Sequence, residues 1–130
     1  MSFLGVIAAG LSSYILGAIW YMALAGPWMK AAGIVPTSEG RPPNSGPTPY
    51  IVAFVGAVLV AGMMRHIFVL SGIEGVAQGL TAGLGLGLFM VTPWIATNYF
   101  FADRSRTLLL IDAGYSTLGC TVMGVVLTVM

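Results

Sequence analysis

The residues best suited to chemistry lie in one stretch, residues 98–115, which reads NYFFADRSRTLLLIDAGY. It contains Asp103, Arg104, Arg106 and Asp112, in a chain that has only five Lys or Arg and four Asp or Glu. Asp112 follows Arg106 by six residues, about 9 Å along a helix, and therefore falls inside a long apolar run. An acid inside a membrane span is costly, so its presence requires a physical explanation.

Two explanations of Asp112 are open. In the first, it is a proton- or ion-responsive carboxylate in a water-accessible crevice. In the second, it is a structural acceptor that caps a neighbouring helix or receives hydrogen bonds from nearby donors. A single acid without a relay of further acids favours the structural explanation. The polar cluster expected around it comprises Trp20, Tyr21, Asn98, Arg104, Arg106, Tyr115 and Ser116.

Other chemistry finds little support in the sequence. There is no G-x-S-x-G, H-E-x-x-H, C-x-x-C or P-loop pattern, so no catalytic residue is assigned. His66 is the one histidine and Cys120 the one cysteine, too few for a metal site, and no cofactor is expected. A net charge of +1 provides neither a field for nucleic acid nor a polybasic patch for anionic lipid.

The elements that position these residues follow from hydropathy. The chain is 58% hydrophobic and 7% charged, which is typical of an integral membrane protein. Four apolar runs each reach the roughly 20 residues that cross a bilayer core, at 3–25, 50–70, 75–97 and 107–130. They predict one all-α domain over residues 1–130, a bundle of four transmembrane helices, antiparallel because the second and third connections are short.

The connections indicate the orientation of the chain. The first connection, residues 26–49, begins at Pro27 and becomes rich in Pro and Gly. Its first half is either an interfacial helix or the end of the first helix beyond a kink. Lys30, Arg41, Arg104 and Arg106 lie on one side of the predicted membrane and Arg65 on the other. The positive-inside rule therefore places both termini outside.

Small residues recur every fourth position along the predicted helices, and such rows let helix backbones approach closely in lipid. The most specific row is the all-glycine one of the third helix, where packing within one chain and packing between subunits are both open. The predicted packing residues are Gly75, Gly79, Gly83 and Gly87 on the third helix and Gly5, Ala9, Ser13 and Gly17 on the first.

Two stretches resemble a known family. GAIWYMALAGPWMKAAG at residues 17–33 and NYFFADRSRTLLLIDAGY at residues 98–115 are similar to the uncharacterised bacterial membrane proteins catalogued as domain of unknown function 1761. The resemblance covers nearly the whole chain and implies a small four-helix inner-membrane protein without an established activity. The Pro-rich segment after Ile34 is less typical of the family. The recurrent features of the family match these residues of the present chain: Trp20, Tyr21, Trp28, Asn98, Tyr99, Arg106, Asp112, Gly114 and Tyr115.

Three functions are compatible with this sequence. The first is a binding, accessory or structural protein of the lipid bilayer that self-associates and joins a larger membrane complex. The second is a small oligomeric transporter or channel with a polar crevice around Asp112. The third, a membrane enzyme acting on a lipid or quinone, has least support because no nucleophile and base form a recognisable pair. We therefore expect no enzymatic activity.

The charge distribution generates a prediction about orientation. A topology reporter fused after Met130 should be active on the outer side of the membrane, because the basic connections are retained in the cytoplasm. Paired fusions of a reporter active only outside and one active only in the cytoplasm measure this directly. A cytoplasmic signal after Met130 would invert the predicted orientation.

Overall fold

A computed structural model of the chain describes residues 1–35, Ser38 and 46–130. The described residues are helical, with no strand among them. The helices are α1 (Phe3–Ala23), α2 (Ala25–Ala32), α3 (Pro47–Ser71), α4 (Val76–Leu86), a π-helical turn (Gly87–Val91), α5 (Thr92–Phe101) and α6 (Arg106–Val129). The predicted all-α class is confirmed. Arg41 and most of the predicted Pro-rich loop lie outside the described residues.

Four helical segments are long and apolar enough to cross a membrane: Phe3–Ala23, Pro47–Ser71, Val76–Phe101 and Arg106–Val129. The second begins three residues before the predicted start, since Pro47 occupies the first turn of α3, where its missing N–H costs nothing. Residues 98–101, predicted to begin a connection, instead complete α5.

The third span is interrupted where the sequence predicted a continuous helix. The π-helical turn Gly87–Val91 separates α4 from α5, and the hydroxyl of Thr92 donates to Gly87 O at 2.8 Å. Pro93 follows immediately; it has no N–H to donate and its ring would clash with the carbonyl of Phe89 in a regular α-helix. The wider turn accommodates the proline without breaking the span.

The first connection starts with a separate helix. Leu24, with φ −108° and ψ 16°, ends α1 and precedes α2. Met29 of α2 is buried and Trp28 is half-buried, whereas Lys30 is exposed. The helix ends at Gly33, whose φ of 72° is left-handed. Helix α2 packs mainly against α6 rather than extending α1.

Helix α6 is the central element, because α1 and α4 both pack along it and α3 packs chiefly on α1. An apolar core joins α1, α3 and α6, and Phe68 and Leu127 are fully buried in it. The core comprises Val6, Ala9, Ala57, Ala61, Met64, Phe68, Cys120, Met123 and Leu127. Asp112 lies towards the other end of α6, so the apolar core and the acid occupy different parts of the same helix.

The glycine row of the third span packs within the chain, against α6. A Cβ placed on Gly79 would lie 2.5 Å from Gly124 O, and one on Gly87 would lie 2.6 Å from the Cα of Thr117. A Cβ on Gly83 would collide with the carbonyl oxygen of Cys120. Gly75, the fourth predicted member, is instead the N-cap of α4. Three glycines thus allow two backbones to touch, as small-residue rows do in membranes.

The row on α1 also faces inward. Gly5, Ala9, Ser13 and Gly17 are all buried. A Cβ on Gly17 would lie 2.8 Å from Tyr115 Cζ of α6, and a Cβ on Gly119 of α6 would lie 2.8 Å from Ser13 Oγ. Helix α6 therefore receives a close neighbour on two sides.

The contact at Gly83 can be tested with a matched pair of variants. Gly83→Ala should lower the free energy of unfolding by about 1–3 kcal/mol, the usual cost of overpacking, because its new methyl group meets the backbone of Cys120. Unfolding of the purified protein in mixed micelles, followed by circular dichroism, measures the change.

Gly85→Ala is the control, since it lies on the same helix and a Cβ there meets nothing within 4 Å. Its stability should stay level or rise slightly because alanine has the higher helix propensity. Equal stabilities of the two variants would contradict the close approach of α4 and α6.

Candidate functional site

The polar cluster is centred on the carboxylate of Asp112 in α6. Tyr21 in α1 donates a hydrogen bond to Asp112 Oδ1 at 2.7 Å, and Tyr99 in α5 donates to Oδ2. The hydroxyl of Ser116, one turn along α6, donates to the backbone carbonyl of Asp112 at 3.0 Å. One carboxylate therefore links three helices, with a phenol from a different helix on each oxygen.

A second set of hydrogen bonds continues the contact between α1 and α6. Trp20 Nε1 donates to Ile111 O at 3.0 Å, and the ring of Trp20 covers Gly114, where a Cβ would lie 2.9 Å from Trp20 Cζ2. Tyr115 donates to Ser13 O at 3.0 Å. These bonds tie side chains of one helix to the backbone of the other, which fixes the register of the pair.

Aromatic rings fill the space between these polar groups. The ring of Tyr21 makes edge contacts with Trp28 and Tyr115, at centroid distances of 6.0 and 5.4 Å. Edge-to-face pairs of this kind add to the stabilisation from burial. Three other aromatic residues of α5, Trp94, Phe100 and Phe101, are exposed. The cluster is packed with rings of its own, so its phenols stay close to Asp112.

The structure brings together part of the predicted cluster. Trp20, Tyr21, Tyr115 and Ser116 lie around Asp112 as described above. Asn98 is exposed on α5, and the adjacent Tyr99 reaches the carboxylate in its place. In the sequence, Tyr99 stands out only as a match to the recurrent features of the resembled family. The turn at Ala102 puts Tyr99 and Asp112 on different helices. Helical periodicity in the sequence therefore could not pair them.

The two arginines of the predicted cluster take other partners. Arg104 Nη2 donates to Ala32 O at 3.2 Å, at the end of α2. The guanidinium of Arg106 lies 5.8 Å from the centroid of the Phe100 ring, a cation–π distance. Both side chains are exposed, and they hold the connection between α5 and α6 against its neighbours.

The cluster satisfies its own hydrogen bonds. Throughout the described part of the chain, each buried side-chain nitrogen or oxygen has a hydrogen-bond partner. No three His, Cys, Asp or Glu residues converge within residues 1–35, 38 and 46–130. Chemically, the arrangement can hold three helices together through the carboxylate of Asp112.

The architecture and this cluster define a class: a small all-helical protein with four candidate membrane spans, which suggest a multi-pass membrane protein. The chain belongs to the family described as protein of unknown function (DUF1761), whose model matches residues 4–128. The match includes all the helical residues except Phe3, the first residue of α1, and Val129, the last residue of α6. No curated protein and no solved structure matches the chain.

Removing one phenol hydroxyl tests the hydrogen bonds by which Asp112 joins the helices. Tyr99→Phe is expected to lower the free energy of unfolding by about 1.5–3 kcal/mol, as for a hydrogen bond to a charged group, because one oxygen of Asp112 loses its donor. Thermal unfolding in detergent measures the loss. Tyr50→Phe, the same change at a tyrosine 55% exposed on α3, is the control and should be neutral.

The variant Tyr21→Phe and the double variant complete a thermodynamic cycle. Because both phenols bind the same carboxylate, their effects should not be additive. A Tyr99→Phe protein as stable as the Tyr50→Phe protein would contradict a structural role for this bond.

Proposed function

We propose that this chain is a multi-pass membrane protein without enzymatic activity that serves as a self-associating structural or accessory subunit. The supporting feature is the arrangement of Asp112, whose two oxygens accept hydrogen bonds from Tyr21 of α1 and Tyr99 of α5. A carboxylate committed to two internal donors is suited to holding helices in place. A transported ion or a substrate would first have to displace those donors.

Insertion into a membrane as an antiparallel bundle is the second part of this proposal. Contacts along α1 and α6 support it, because Gly5 lies beside Met130 while Gly17 lies beside Tyr115. The outward side chains support it as well, since large apolar residues such as Ile19, Leu59 and Phe89 are exposed. In lipid this surface is stable, and in water it would aggregate. We place the protein in the inner membrane, with both termini outside.

Self-association requires a face that the chain does not use internally. The glycines Gly79, Gly83 and Gly87 are occupied by α6, so they are poor candidates for a seam between copies. The opposite side of α4 carries Ala77, Thr81 and Gly85 at four-residue spacing; the first two are exposed, and a Cβ on Gly85 meets nothing within 4 Å. We propose this outer α4 face as the contact between copies, since small residues permit close approach.

A second candidate function is a small oligomeric transporter or channel with a polar crevice at Asp112. The observation that favours it is the partial exposure of Asp112, which is not buried despite its two phenol partners. In this mechanism, loss of the Tyr99 bond would open the carboxylate to water. The two functions differ in whether Asp112 carries flux or only stability.

Self-association and flux can be measured on the same reconstituted protein. Energy transfer between labelled copies in liposomes should report oligomers, and Thr81→Leu should weaken them about tenfold, near 1.4 kcal/mol, by adding bulk to the outer α4 face. Ala53→Leu, at an exposed small residue of α3, is the matched control and should leave them intact. Equal energy transfer in the wild type and in an unrelated monomeric membrane protein would refute self-association.

Ion and proton flux in the same liposomes separates the two functions. The structural proposal predicts no flux above that of empty liposomes in the wild type. Flux in the wild type that disappears in a folded Asp112→Asn protein would establish the transporter instead.

A further inference from the structure

An open groove of about 400 Å³ lies between α2 and the first turn of α6, apart from the Asp112 cluster. Its lining residues are Pro27, Lys30, Ala31, Ser105 and Thr107. The α2 residues stand at positions i, i+3 and i+4, so they form one face of that helix. The groove therefore has an ammonium group and two hydroxyl groups beside two small apolar surfaces.

The fold holds the two walls of this groove in place. On the other side of α2, Met29 is buried and Trp28 contacts the ring of Tyr21. Arg104 donates to Ala32 O, which ties the connection before α6 to the end of α2. The groove is thus a product of the packing of α2 and is not a gap between independent loops.

The charges around the groove are mainly positive. Lys30 lines it, and Arg104 donates to the backbone carbonyl of Ala32, the residue after Ala31. Among the described residues, the acids near this end are Asp103, which is exposed in the same connection, and Asp112, whose oxygens accept hydrogen bonds from Tyr21 and Tyr99. Within the described residues, the two cations Lys30 and Arg104 stand beside the groove against the exposed carboxylate of Asp103, which leaves a local excess of positive charge.

We infer that this groove binds the phosphate group of an anionic phospholipid. A phosphate diester accepts hydrogen bonds from hydroxyls and is attracted by the ammonium of Lys30. The apolar surfaces of Pro27 and Ala31, together with the position of the groove at the ends of α1 and α6, suit a lipid better than a free anion. The inference rests on the proposed insertion of the four spans, which puts this end at headgroup level.

Sequence composition gave no reason to expect this site, because five Lys or Arg against four Asp or Glu form no polybasic patch. The charge distribution already predicts Lys30 and Arg104 on one side of the membrane. The packing of α2 against α6 is what brings them to the same groove, where Arg104 donates to Ala32 O. Basic pockets between membrane helices bind acidic headgroups by this combination of charge and shape.

Lipid titration of the purified full-length protein, followed by native mass spectrometry, tests the site. Phosphatidylglycerol should bind several-fold more tightly than phosphatidylcholine, and inorganic phosphate at equal concentration should not displace it. Lys30→Gln should weaken phosphatidylglycerol binding about fivefold, the fold-change expected for one lysine at an anionic surface. Arg65→Gln removes the same charge from the last turns of α3, away from the groove, and should leave binding unchanged.

Each other outcome overturns the inference. Equal binding of the two lipids would remove the role of charge, and equal losses in the Lys30 and Arg65 variants would indicate general attraction without a site. Displacement by inorganic phosphate would identify a free anion as the ligand. Alkaline extraction of membranes is the separate check on insertion. Release of the protein by this treatment would refute the proposed function. Retention of the protein together with no preference for the anionic lipid would refute only the inference about the groove.

Discussion

The close approach of α6 to a neighbour on each side is the constraint on which this structure depends. In lipid, helices gain little from hiding apolar side chains, so they must associate through van der Waals contact and hydrogen bonds. Gly83 and Gly87 bring the backbone of the third span against Cys120 and Thr117, while Gly17 admits the ring of Tyr115. A side chain at Gly83 or Gly87 would meet the backbone of α6 and force the two helices apart, whereas one at Gly17 would meet the ring of Tyr115.

The hydrogen bonds of the polar cluster depend on that approach. Asp112 can reach Tyr21 and Tyr99 because α1 and the third span already lie beside α6. Buried polar atoms are costly without a hydrogen-bond partner, and each buried side-chain nitrogen or oxygen among the described residues has one. Packing and polar bonding therefore reinforce each other: glycines set the distances, and the carboxylate fixes which phenols meet.

The two halves of α6 differ in the residues that they contribute. Its C-terminal half contributes Cys120, Met123 and Leu127 to an apolar core, and its N-terminal half carries the acid and faces the groove beside Lys30. This division of α6 into an apolar half and a polar half is the arrangement on which the proposed structural or accessory role rests. Membership of a family without an assigned activity leaves the physical arrangement as the basis for this proposal.

The sequence by itself determined the class of the protein and much of the list of important residues. Runs of apolar residues require helices long enough to span a bilayer, and an acid within such a run requires partners. Tertiary structure decided which partners these are. The donor from α5 is Tyr99 and not the adjacent Asn98, because α5 packs with Tyr99 towards the carboxylate and leaves Asn98 exposed. It also decided that the glycine row is used within one chain, since a row of small residues specifies closeness but not the identity of the neighbour. Local periodicity predicts helices well, whereas the rotation and pairing of helices depend on contacts between residues far apart in sequence.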